Sequence, residues 1–259
     1  MKKEFACQKG EMTIRGFEIY EENDNHIPVI LSHGFMGTLK GTAPYASELA
    51  KKGYHTFIYD FCGGSVSSIS DGSFHDYMTP LTEVDDLKTV IQYVQGREDL
   101  DAGKLILIGY SQGGFVSSIV ASELQNEVKN LILVYPALCI PDDARKGKMQ
   151  MIEFDPDNIP PHVGFDRFVI CGAYPRSVKY MNIYEVMKKY HGDVLLLHGT
   201  ADTIVDYQYS VKAHESYQSE GTPCEFHLIE GAGHGFRDAY FDEAMSFINN
   251  YLDKKVSGL

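Results

Sequence analysis

Apolar residues recur along this chain in two rhythms. Short apolar runs at Pro28–Ser32, Tyr54–Tyr59, Leu105–Ile108, Leu131–Tyr135, Asp193–His198 and Glu225–Ile229 read as strands. Between them lie stretches with helical spacing: Pro44–Lys52, Pro80–Val94, Phe115–Leu124, Tyr207–Tyr217 and Asp238–Leu252. The clearest is Pro80–Val94, where Leu81, Val84, Leu87, Val90, Ile91 and Val94 share one face, Thr79 offers a cap and Pro80 opens the helix. Ahead of this alternation, Phe5–Cys7 and Thr13–Tyr20 read as two strands joined around Gly10. Strands alternating with helices from Pro28 onward predict an α/β fold, a mostly parallel sheet with helices on both faces. Ligands of such sheets bind beyond the carboxyl ends of the strands. His33, Asp60 and Ser111 each follow a strand end and are expected on one rim.

The rhythm breaks between Pro136 and Gly192, a stretch rich in proline and aromatic residues with no long apolar strand. Its Phe, Tyr, Ile and Met content is too high for a disordered linker, and a structureless loop of that length is unusual. It is expected to form a small inserted cap over residues 136–192, with a helix at Ile183–Tyr190. Residues 1–135 and 193–259 then make one core domain. Composition narrows the partners. A formal net charge of -13 and a pI near 5.1 disfavour nucleic acid. The five cysteines are scattered, with no C-x-x-C pair, and point to free thiols rather than a zinc site or a disulfide framework. No apolar run is long enough to span a membrane and the first residues lack the apolar core of a signal peptide, so a cytoplasmic protein is expected.

The chemistry gathers at Gly109-Tyr110-Ser111-Gln112-Gly113, which fits G-x-S-x-G between a strand and a helix. In so tight a turn the residues two positions either side of the serine must lack side chains, and both are glycine. Ser111 then stands at the tip as a nucleophile, and the N–H of Gln112 sits at a helix N-terminus suited to a developing oxyanion. A plain Gly-Ser loop is the alternative. A serine hydroxyl needs a base, and the base needs an acceptor that fixes its tautomer. His234, in the glycine-bounded loop after Glu225–Ile229, is the base. The other histidines, His198 among them, fall within or beside regular structure. Asp202 is the acid, with Asp206 as competitor, and Asp206 is better placed to cap the following helix. The loop His33-Gly34-Phe35-Met36-Gly37 offers the N–H of Phe35 as second oxyanion donor, its glycines permitting close approach. Nothing in this set calls for a metal or organic cofactor.

Together, H-G-F-M-G after a strand, G-Y-S-Q-G, H-G-T-A-D-T-I-V and G-A-G-H-G resemble the α/β-hydrolase superfamily over nearly the whole chain. Within it, Pro136-Ala137, Ile140-Pro141, Ala144, the segment Phe154–Pro160 and Tyr184-Glu185-Val186 are similar to the cap of small bacterial cinnamoyl and feruloyl esterases. The resemblance implies Ser111, Asp202 and His234 as a triad, Phe35 and Gln112 as oxyanion donors, and Asp143 and Gln150 as polar groups facing a ring hydroxyl of the substrate. It implies a serine carboxylesterase acting on a small-molecule ester, with hydroxycinnamate esters preferred. A monoacylglycerol lipase or short-chain esterase is the nearest alternative, and a non-catalytic ligand-binding scaffold is the alternative of another class. The stretch Phe168–Tyr180 departs from the esterase pattern and bears on substrate preference. A homodimer is left open.

Overall fold

In a computed structural model, which describes residues 1–256, the chain runs through twelve strands and eight α-helices. In order these are β1 Lys2–Lys9, β2 Met12–Ile19, β3 Pro28–Ser32, α1 Leu39–Lys51, β4 His55–Tyr59, α2 Pro80–Gln95, β5 Ile106–Tyr110, α3 Gln112–Glu123 and β6 Asn130–Val134. There follow α4 Ile140–Lys146, the pair β7 Lys148–Met149 and β8 Ile152–Glu153, the pair β9 His162–Val163 and β10 Ile170–Cys171, α5 Ala173–Val178 and α6 Ile183–Met187. The chain then continues through β11 Asp193–Gly199, α7 Gln208–Ser219, β12 Cys224–Ile229 and α8 Asp238–Lys255.

Eight strands form one sheet in the order β1-β2-β4-β3-β5-β6-β11-β12. β1, β2 and β4 pair antiparallel; from β4 to β12 all pairs are parallel. The mostly parallel sheet expected from the sequence is the one observed. β3, β5 and β6 are buried at every residue, because helices cover both faces and each strand must be apolar on both. Ile30, Phe57, Leu107, Leu133 and Leu196 pack on one side with α2 and α3. Leu31, Ile58, Ile108, Ile132 and Leu197 pack on the other with α1 and α8.

Two boundaries differ from the sequence expectation for instructive reasons. α1 begins at Leu39, not Pro44, and carries Pro44 inside it. Its first turn is held by a distant group, since the Leu39 N–H donates to Asp60 Oδ1 at 2.6 Å, so a carboxylate from the loop after β4 does the work of a local cap. β1 begins at Lys2 rather than Phe5, because its first three residues are exposed at the sheet edge and carry no apolar signal.

Candidate active site

Ser111 stands between β5 and α3 with φ 54° and ψ -119°, a strained conformation for a residue with a side chain. Its N–H donates to the Val134 carbonyl, and its own carbonyl accepts from Ala137, so the turn is pinned to the end of β6. The two flanking glycines are obligatory. A Cβ on Gly109 would lie 2.4 Å from the Gly113 carbonyl oxygen, and one on Gly113 would lie 2.2 Å from that of Ser32.

Ser111, His234 and Asp202 form one hydrogen-bonded chain. The Ser111 hydroxyl donates to His234 Nε2 over 3.0 Å, and His234 Nδ1–H donates to Asp202 Oδ2 over 2.7 Å. The His234 ring lies against Tyr135 with ring centres 4.8 Å apart. Asp202 has no side-chain exposure. Its Oδ1 accepts the N–H groups of Ile204 and Val205 at 2.8 and 2.9 Å. Burial alone would raise the Asp202 pKa. The hydrogen bonds from His198, His234 and the Val205 backbone outweigh it and hold the carboxyl far below the usual range. Asp206, the rival acid, instead accepts the Gln208 N–H at the start of α7.

The loop after β3 packs directly on Ser111: a Cβ on Gly34 would sit 2.9 Å from that of Ser111. Buried His33 holds the loop. Its Nε2 accepts the Phe61 N–H at 3.2 Å, so Nδ1 carries the proton and donates to the Gly34 carbonyl at 2.9 Å. Burial lowers the His33 pKa, favouring this neutral form. Among the described residues, the N–H groups of Phe35 and Gln112 meet no acceptor.

Beside Ser111 opens a pocket of about 450 Å³ of empty space, with Phe35, Ile140, Met149, Ile152 and Tyr174 among its walls. Asp143 and Gln150 both line it. Burial pushes the Asp143 carboxyl up, partly offset by a hydrogen bond with Cys139. Gln150 is exposed with φ 53° and also borders a second, open cleft that includes His234. Cys139 is a second nucleophile type in the pocket wall, but burial drives its thiol pKa up and keeps it protonated.

A family model for the alpha/beta hydrolase fold matches residues 27–157, about half of the chain. The chain belongs to the α/β-hydrolase fold family. A model of the prolyl oligopeptidase family matches residues 169–258 of this hydrolase. The uncharacterized protein YfhR of Salmonella typhimurium is 26% identical over 243 residues, spanning 88% of this chain and 73% of its own. Acyl-protein thioesterase 1 of Debaryomyces hansenii is 25% identical over 198 residues, spanning 76% and 66%. The structure of Est1E from Butyrivibrio proteoclasticus with ferulic acid bound superposes with a TM-score of 0.89 at 24% identity, covering 98% of this chain and 99% of its own.

The fold also places two residues that sequence reasoning missed, Glu83 and Tyr174, both held by Gln112. Gln112, whose N–H meets no acceptor among the described residues, has its side chain clamped on both ends. Its amide donates to Glu83 Oε2 at 2.7 Å, and its oxygen accepts the hydroxyl of Tyr174 from α5. All three are buried to about 1% exposure. Glu83 was masked because α2 reads as amphipathic with acidic residues outward, whereas Glu83 and Asp86 point inward. Beside Asp202, His198 Nε2–H is shared between the Val205 carbonyl and Asp202 Oδ2, at 3.0 and 3.2 Å. His198, set aside in the sequence for its place beside regular structure, thus shares the carboxylate that holds His234.

The buried Glu83 makes a pH prediction. Burial, with nearby Asp86, raises its pKa well above the ordinary value, while Gln112 and Lys9 oppose this. Below pH of about 4.3 the folded and unfolded chains both carry the proton. Above that the unfolded chain ionises and the folded one does not, so stability is lost as pH rises. Glu83→Gln keeps an acceptor for the Gln112 amide and removes the ionisable proton. Its Tm should match wild type near pH 4 and exceed it at pH 8; an advantage independent of pH would contradict a neutral buried carboxyl.

Proposed function

We propose that this protein is a serine carboxylic-ester hydrolase that prefers hydroxycinnamate or related aryl acyl groups. The observation that carries the proposal is the hydrogen-bonded chain from Ser111 through His234 to buried Asp202 at the mouth of an apolar pocket. In this reading Ser111 Oγ attacks the ester carbonyl as His234 Nε2 takes its proton. The oxyanion rests on the N–H groups of Phe35 and Gln112. His234 returns the proton to the leaving alcohol, and water repeats the sequence to release the acid. Asp202 holds His234 in the tautomer that leaves Nε2 free to accept.

The acyl preference follows from the pocket walls. Rings and branched side chains suit a flat apolar group, and Asp143 is a half-buried polar group able to meet a ring hydroxyl. The bound ferulic acid of the similar Est1E structure supports the same choice. Residues 136–192, which supply most of these walls, act as a cap over the core in this reading.

The test compares methyl ferulate, para-nitrophenyl butyrate and a monoacylglycerol, with wild type and Ser111→Ala side by side. Turnover of ferulate above the others, lost in the variant, is the expected result. Cleavage of only butyrate or glyceride leaves the serine esterase and removes the cinnamoyl preference. Equal activity of wild type and variant removes both.

A further inference from the structure

Ser111 has two sides. One faces the apolar pocket; the other faces an open cleft of about 990 Å³, lined by Gly37, Thr38, Gly41, Gln150, His234 and Arg237, among others. With the acyl group in the pocket, the alcohol half of an ester must lie in this cleft. The cleft's charge is unlike the rest of the molecule. The chain carries 36 acidic residues against 23 basic ones, yet none of the residues lining the cleft is Asp or Glu.

Arg237 itself stands apart from the other arginines. Arg15 pairs with Asp71, Arg97 with Glu18 and Asp99, and Arg145 with Asp142. Arg176 donates to the carbonyls of Ile159 and Pro160, and Arg167 lies over the Phe168 ring. Among the described residues the side chain of Arg237 is the one arginine side chain with no hydrogen bond, ion pair or ring contact, while its backbone carbonyl accepts the N–H groups of Tyr240 and Phe241. It follows His234 by three positions and immediately precedes α8, so its backbone is set by the loop that carries His234.

We propose that Arg237 is the anchor of a leaving-group subsite, and that the alcohol half of the natural ester carries a carboxylate. This rests on the serine esterase reading above and adds the alcohol specificity. A guanidinium presents paired donors that match a carboxylate, and a single cation matches a single negative charge better than a phosphate dianion. The reaction balances without a further reactant: the acyl group passes to Ser111 Oγ, the C–O bond breaks, His234 protonates the leaving oxygen, and the alcohol departs with its carboxylate unchanged.

The test uses two near-isosteric esters of whichever acyl group proves fastest in the panel above, one of glycolate and one of glycolamide. The quantity read is the ratio of kcat/KM for the anionic ester to that for the neutral one, in wild type, Arg237→Gln and Arg237→Lys. The ratio should fall about five- to tenfold in Arg237→Gln, through KM of the anionic ester, and recover in part in Arg237→Lys. A merely structural role would move both esters together and leave the ratio unchanged, which would overturn the proposal. Raising the salt to about 0.5 M should shrink the wild-type ratio and leave that of Arg237→Gln in place. Hydrolysis of both esters at an unchanged ratio defeats the subsite alone. Failure to cleave either, with no fluorophosphonate label on Ser111, defeats the esterase and the subsite with it.

Discussion

Asp202→Asn should lower kcat by about ten-thousandfold. The reason lies in how the carboxylate is held. Oδ1 accepts two backbone N–H groups, from Ile204 and Val205, so an asparagine must place its carbonyl oxygen there. Its NH2 then takes the position of Oδ2, facing His234 Nδ1 and His198 Nε2. A donor at His234 Nδ1 forces the ring proton onto Nε2, where it points at Ser111 Oγ, and the base is gone. The amide group also opposes the His198 N–H, which already donates to the Val205 carbonyl, so Tm should fall as well. Turnover of the best ester near pH 8, measured beside a melting curve, checks both. A loss of less than about tenfold would mean that Asp202 does not set the His234 tautomer.

The skeleton of this site was readable because its local demands are severe. Gly109 and Gly113 can be nothing else beside a serine at a positive φ, and such demands leave a mark at fixed spacing. The parallel sheet was equally plain, since strands buried on both faces read as unbroken apolar runs. What escaped is what depends on distant partners. Asp60 caps α1 from the loop after β4, and no local pattern announces a cap twenty-one residues away. Glu83 and Tyr174 meet only because Gln112 lies between α2 and α5. An inward acidic residue on an amphipathic helix has no separate spelling. His198 carried the same ambiguity, for a strand-end histidine looks alike whether it props a fold or shares a carboxylate with His234.

Gly113→Ala should cost about 3 kcal/mol or more of stability, or roughly 6–12 °C in Tm for a chain of this size. The added Cβ would lie 2.2 Å from the Ser32 carbonyl oxygen and 2.5 Å from that of His33. Both obstacles are backbone, so no side chain can swing away. Ser32 is the last residue of β3, paired with Gly109 of β5, and His33 opens the loop that carries Phe35. Relief therefore requires α3 and the end of β3 to separate by about 1 Å, to reach ordinary contact distance. That movement would draw the N–H groups of Phe35 and Gln112 apart, and a displacement of this size costs about a hundredfold in rate even in protein that stays folded. Gly41→Ala is the control, because its Cβ would meet nothing within 4 Å and lies in a helix, where alanine is favoured over glycine by up to about 1 kcal/mol. Its Tm should hold or rise. If Gly113→Ala melts with wild type, the turn around Ser111 is looser than these distances allow, and the paired donors lose their structural basis.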